Sequence, residues 1–400
     1  MSHWKSKISI GSIIGKGSIL YKSASQSLKI QSVSPEIIKT KIAETSIDYS
    51  TRDTYQRKVF FDGVNFFVFF LDYVPDGLNP YKLKYSASED GKNWSSPTVL
   101  RESSEPFNFD VCYPNRGTKD YNGEDVDFAV YMLDKAGARS RWLPYVISDK
   151  TIIAKVGGSL GGLEDIRGGT CVSNLNGTRD YMITHESSPS RIITHRTISY
   201  LDDYDTTIPY SSTSGGCQLL PYKTSSPYLM LALAKGGDNK LYYNLVNEPT
   251  ATFTDSFKEV ATLGTGFNDF CACSEAQNIG DPEIVHLVYI KDTGELCYRK
   301  FENDAWSQEI TLISEGATYP VIASGETGKL YVFYVKNGKI MLKRYDGAWQ
   351  PEEEAFKGYT YNNPRYLSSN QNSQNGKICL VWMEKTVSPF ELYFNYLEDT

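Results

Sequence analysis

The sequence predicts an all-β chain assembled from one repeated antiparallel unit, and three observations carry that prediction. Tyr (29) and Phe (18) are abundant among the 400 residues. Gly (31) and Pro (17) bound short apolar-aromatic runs, whereas windows with a helical apolar period are scarce. The third observation is a recurrence. FFVFFLD, DFAVYMLD, YMITHE, YLMLALAK, HLVYIKD, LYVFYVK and CLVWMEK are seven strands of similar form, each strongly apolar and ending in a charged residue. Anchored on Phe67, Phe128, Tyr181, Leu229, His286, Tyr331 and Leu380, they return about every 52 residues, a length suited to a four-stranded blade with its loops. A seven-bladed β-propeller is therefore predicted, with a six-bladed ring as the alternative.

Taken in order, residues 1–35 alternate apolar and polar side chains around Gly and Ser in ISIGSIIGKGSILYKSASQSLKIQSV. That pattern predicts a β-hairpin arm outside the ring, packed on the propeller itself or used for attachment, docking or self-assembly. Gly and Ser break its apolar stretch and no small-residue cleavage site follows, so no secretory leader is predicted; an extracellular or particle-surface location is favoured by another route. The ring is predicted over 36–400. Its last unit supplies only NNPRYLSS, KICLVWME and ELYFNYLE, so residues 36–46 are predicted to complete that blade, because an open ring leaves sheet edges exposed.

Each apolar strand is preceded by an entering strand: TYQRKVFF, FDVCYPN, GGTCVSN, GGCQLLPY, DFCACSE, TYPVIAS and NNPRYLSS. Cys112, Cys171, Cys217 and Cys271 hold nearly the same place in four of them, where small side chains pack around a narrowing axis. The seven cysteines include no CxxC pair, so no metal or cofactor is expected. The charge balance, 41 basic against 48 acidic residues for a net −7, offers no basic stripe for nucleic acid, and no window approaches the roughly 18 apolar residues of a membrane span.

In this topology the starts of first strands and the ends of second strands converge on one mouth. First-strand starts carry Tyr55, Arg57, Asp110, Asp269, Tyr319, Asn363 and Arg365; second-strand ends carry Asp72, Asp134, His185, Glu186, Lys235, Asp292, Lys336 and Glu384. Carboxylates and arginines fork onto hydroxyl pairs and aromatic faces stack on sugar C–H surfaces, which suits a carbohydrate or other polyhydroxylated ligand. Tyr55, Arg57, Asp72, Asp110, Asp134, His185, Asp269, Tyr319 and Arg365 are the candidate ligand-binding residues. Each charge taken alone is a solvated loop residue. If the site is hydrolytic, Asp110, Glu186, Asp269 and Tyr319 are the candidates for two carboxylates or a tyrosine nucleophile. A lyase would use His185 or His195 as base, although both lie on neighbouring strands of one blade where structural roles are commoner.

One turn carries a family likeness. Ser88-Glu89-Asp90-Gly91-Lys92-Asn93-Trp94 resembles the Asp box of the sialidase-like (BNR-repeat) propellers, Ser/Thr-x-Asp-x-Gly-x-Thr-Trp, but is one residue shorter and lacks the Thr. Weaker copies stand at Asp304-Ala305-Trp306 and Asp346-Gly347-Ala348-Trp349. The resemblance implies that these turns lie on the face away from the site and are structural. It also implies that Arg57, in TYQRKVFFDGVNFFVFF, stands where the family keeps its first carboxylate-binding arginine; Arg365 and Tyr319 are further candidates by position. The Arg-Ile-Pro motif is absent. The leading reading is a non-enzymatic glycan-recognising propeller with its ligand at the central mouth. The alternatives are a sialidase-like glycoside hydrolase or polysaccharide lyase, and a protein-interaction scaffold.

Overall fold

Strands buried on both faces need continuous apolar runs rather than alternation, and the recurrent runs satisfy that condition. Leu229–Lys235 and Val285–Ile290 are buried at every position, and Phe66–Tyr73 at all but its last residue. Third strands are less completely buried, as in Lys240–Asn247 and Lys339–Tyr345. The structure is a computed structural model and describes residues 40–113, 120, 122–134, 139–160, 166–173, 180–187, 190–197, 201–206, 216–247, 250–265, 269–326 and 328–399. The predicted arm, 1–35, lies outside these residues.

Among the described residues the strands form seven antiparallel sheets and no helix. Their innermost strands are Val59–Phe61, Phe107–Cys112, Ile166–Ser173, Cys217–Lys223, Phe270–Ser274, Thr318–Ser324 and Arg365–Ser369. In three sheets the outer edge is shared by two short strands on one third strand: Thr151–Ala154 with Gly158–Leu160, Thr252–Phe253 with Lys258–Thr262, and Ala305–Trp306 with Ile310–Ile313. The seventh sheet takes its outer strand from Thr40–Thr45, which pairs antiparallel with Phe390–Glu398, Thr40 opposite Phe394 and Thr45 opposite Phe390.

Inner strands of consecutive sheets lie side by side from the second sheet to the seventh, and the seventh returns to the first. Phe60 and Phe109 share one core between the first and second sheets. Three tryptophans show the same succession. Trp306 packs edge-on against Tyr243 of the fourth sheet and Trp349 against Tyr298 of the fifth, each one sheet behind. Trp94 of the first sheet packs at 5.0 Å against Phe394 of the seventh, so these two sheets are neighbours as well. The architecture is a β-propeller.

The turn that supplies Trp94 is built from its sequence. Asp90 Oδ1 accepts the amides of Lys92 and Asn93 at 2.8 Å, and Ser88 Oγ accepts the amide of Gly91. Gly91 needs its φ of 70°, and an added Cβ would sit 3.0 Å from the Phe394 ring. The two amides and the Asn93 side chain hold the Asp90 carboxyl well below the usual range.

The entering strand TYQRKVFF starts later than its sequence suggests, only at Val59. Residues 50–58 instead run through the centre of the ring, polar yet buried: Thr51, Thr54 and Gln56 are wholly inaccessible. They are satisfied by inner strands on several sides. Thr54 Oγ1 donates to the Phe270 carbonyl at 2.9 Å, and Gln56 Nε2 to that of Gly169 at 2.7 Å. Thr51 Oγ1 donates to the Tyr366 carbonyl at 2.9 Å, and Ser368 Oγ and Gln371 Nε2 donate to the carbonyls of Gln56 and Tyr55 at 2.8 Å. Tyr55 stacks on Phe270 at 5.1 Å against Gly216, where a Cβ would lie 2.4 Å from its ring. At a net ~1 kcal/mol per bond, this strut ties the second half of the ring to the first. Cys112, Cys171, Cys217 and Cys271 pack around it, buried and in no disulfide.

Candidate functional site

The strut decides what the central position can offer. Tyr55 is 2% exposed, and burial raises its phenol well above the ordinary value. Arg57 Nη2 pairs with Asp110 Oδ2 at 2.9 Å and also donates to the Cys171 carbonyl. Asp110, fully buried, further accepts the Arg57 amide at 2.6 Å and the Cys171 amide at 2.8 Å. The structure thus brings Arg57 and Asp110 together, as an internal clasp joining the first three sheets. Lys58 is likewise enclosed, donating to Gln56 Oε1 at 2.8 Å and lying 3.5 Å over the Phe109 ring.

Two other candidates are engaged at the periphery of the mouth. Asp72 Oδ1 accepts from Thr45 Oγ1 at 3.1 Å and from the Ser46 amide at 3.0 Å, and Oδ2 takes Lys84 at 2.7 Å, so it latches the closing segment to the first sheet. Burial opposes the charge on Asp72, yet these donors leave its carboxyl below the ordinary value. Asp269 pairs with Lys235, which also donates to the Gly264 carbonyl at 2.9 Å. Burial pushes the Asp269 carboxyl up to about 6 against the pull of Lys235. The side chains of Asp134, His185, Glu186 and His195 lie outside the described residues. His286 is internal, its Nδ1 2.8 Å from Tyr298 Oη and its Nε2 2.7 Å from Glu275.

The remaining two candidates, Tyr319 and Arg365, meet at the rim of the sixth and seventh sheets. Both inner strands there carry a register shift, between Thr318 and Val321 and between Arg365 and Ser368. Each irregularity puts a tyrosine into the left-handed region, Tyr319 at φ 54° and Tyr366 at φ 53°, a costly conformation for an aromatic residue. The two rings meet edge to face at 5.2 Å. Arg365 lies over Tyr366 at 5.2 Å and over Phe390 at 5.1 Å, and its buried Nε and Nη2 have no hydrogen-bond partner among the described residues. Arg52, over the Tyr49 ring, adds a second guanidinium that acts electrostatically on Tyr366. Burial raises the Tyr319 phenol, so it stays protonated and able to donate.

Sequence reasoning missed Arg52 and Tyr366. Tyr366 could have been found by aligning Thr318-Tyr319 with Arg365-Tyr366, two entering strands that start alike.

No family model matches the chain, and no curated protein matches it. Solved structures do. The BP39L lectin of Burkholderia pseudomallei is similar with a TM-score of 0.58 at 12% identity, over 87% of this chain and 97% of that one. A fungal lectin of Aleuria aurantia, described as a six-bladed β-propeller with a novel fucose recognition mode, gives 0.44 at 14% identity, over 77% and 100%. Catalytically inactive virginiamycin B lyase of Staphylococcus aureus gives 0.47 at 12%, over 89% and 99%. At these identities the likeness concerns the fold alone.

Proposed function

We propose that this chain is a non-enzymatic, glycan-recognising module on a seven-bladed propeller, with its ligand at the rim of the mouth beside Tyr319, Tyr366, Arg365 and Arg52. The observation that carries the reading is the half-buried Arg365 guanidinium, held between two aromatic rings with no ion-pair partner among the described residues. Such a group seeks acceptors, and sugar hydroxyls supply them, while the tyrosine faces offer surfaces for C–H stacking. The Burkholderia protein of similar fold is a lectin, which agrees with that chemistry. In this reading residues 36–46 close the last blade and residues 1–35 provide attachment.

A glycan array with parallel measurement of released reducing sugar tests it. Binding without turnover is expected, and Arg365→Ala is expected to weaken the best array ligand at least tenfold, about 1.4 kcal/mol. Turnover, or an unchanged affinity in Arg365→Ala and Tyr319→Ala alike, overturns it.

A further inference from the structure

A cavity lies on the flank between the outer strands of the first and second sheets. It has a volume of about 300 Å³ and is lined by Leu100 and Arg101 of Thr98–Ser103, by Arg141, Leu143 and Tyr145 of Arg139–Ser148, and by Lys155. The local sequence explains its shape. The pairing of Thr98–Ser103 with Tyr81–Ser88 slips between Leu83 and Lys84, leaving Leu100 without a partner across the strand. Leu100 packs on the core shared by the two sheets, and Arg101 follows it on the exposed side of the bulge. On the opposite wall the Lys155 amide bonds to the Pro144 carbonyl at 2.9 Å, which returns the chain to the third strand and sets Lys155 at the cavity edge.

The charge of this cavity runs against that of the chain. Three cations, Arg101, Arg141 and Lys155, line it in a protein of net −7, and Lys155 is paired with Glu124. Arg101 has no ion-pair partner among the described residues. Tyr145 is 2% exposed, and its hydroxyl bonds to no described residue. Burial raises that phenol, and the Arg101 guanidinium acts on it in the opposite sense, which places the two groups within electrostatic reach. An arginine fork without an ion-pair partner, a tyrosine hydroxyl bonded to no described residue and an apolar floor of Leu100 and Leu143 therefore face one volume.

We infer that this cavity binds a sugar unit carrying an oxyanion, a uronate carboxylate or a sulfate ester. Arg101 forks onto the oxyanion, Tyr145 donates to a second oxygen, and the leucines and the tyrosine ring cover the C–H face of the sugar. A neutral sugar leaves the Arg101 guanidinium unanswered, and a bare anion leaves the apolar floor uncovered. The site is separate from the rim and does not depend on it.

Titration calorimetry in the Arg365→Ala background isolates this cavity from rim binding. The probes are methyl glucuronide, glucose 6-sulfate, methyl glucoside and inorganic sulfate. The first two are expected to bind, with affinity falling as salt rises, and the last two to bind at least tenfold more weakly. Arg101→Ala and Tyr145→Phe are each expected to lose at least tenfold for methyl glucuronide while keeping the thermal midpoint, since one side chain is exposed and the other loses only an unpaired hydroxyl. Equal binding of methyl glucoside, equal binding of inorganic sulfate, or full affinity in both variants overturns the inference.

Discussion

Replacing Asp110 with Ala tests whether the centre of the ring is a structural strut or a ligand-binding channel. Asp110 has no exposed surface and holds three donors within 2.9 Å: the Arg57 amide, Arg57 Nη2 and the Cys171 amide. Removing one member of a buried pair costs about 3–5 kcal/mol, because the other charge stays buried. Here the Arg57 side chain keeps 14% exposure and the Cys171 carbonyl, which place the loss near the lower end, at about 3 kcal/mol. That is a large share of the roughly 5–15 kcal/mol that holds a domain together.

Urea unfolding followed by tryptophan fluorescence reads the loss as a lower midpoint at unchanged slope. An Arg57→Met, Asp110→Leu double replacement is expected to recover most of it, and the double-mutant cycle to give a coupling above about 1 kcal/mol. Asp110→Ala within about 0.5 kcal/mol of the parent, as for an ordinary surface change, refutes the strut. Lost glycan binding at unchanged stability in the same variant returns the ligand to the axis.

Two further outcomes follow from the same packing. Burial pulls the Lys58 ammonium down to about 7 in the folded chain against an ordinary 10.5, so between those values the unfolded chain binds more protons and stability rises with pH. Lys58→Met is expected to flatten that rise between pH 7 and 10 in urea midpoints, and an unaltered slope counts against a buried, titrating Lys58. Trp94→Ala removes the half-buried wedge between the first and seventh sheets and is expected to cost about 2 kcal/mol, below the 3–5 of a fully buried aromatic. No loss in the same unfolding assay means that the contact with Phe394 contributes nothing to closure.

The all-β, propeller character was legible because strands sandwiched between sheets leave unbroken apolar runs, such as Leu229–Lys235, that no loop or surface helix produces. The strut was not. Thr-Tyr-Gln-Arg-Lys reads as the start of a strand, and its burial rests on hydrogen bonds to carbonyls more than 100 positions away, such as Gly169 and Phe270, which leave no periodic trace. The rim was half legible. Position along the repeat picked out Tyr319 and Arg365, but the bulges that turn Tyr319 and Tyr366 toward each other depend on register, which composition does not report. Arg57 and Asp110 were singled out by the same positional reasoning, and the structure engages both in the interior.

A filled axis changes where a propeller of this kind can meet a ligand. With Tyr55, Gln56, Arg57 and Lys58 committed to inner strands, polar groups near the axis are already answered, and any ligand there would have to displace bonds to several sheets at once. Two groups of unanswered polar side chains stand instead where the repeat is broken: Arg365 at a bulged inner strand, and Arg101 and Tyr145 beside a bulged outer strand. Regular strands satisfy themselves along the ladder, whereas a bulge turns one side chain away from its neighbours and leaves a concavity beside it. On the proposed glycan-binding reading, recognition depends on local irregularities rather than on the axis, and sites at different bulges would read different sugars without altering the ring that carries them.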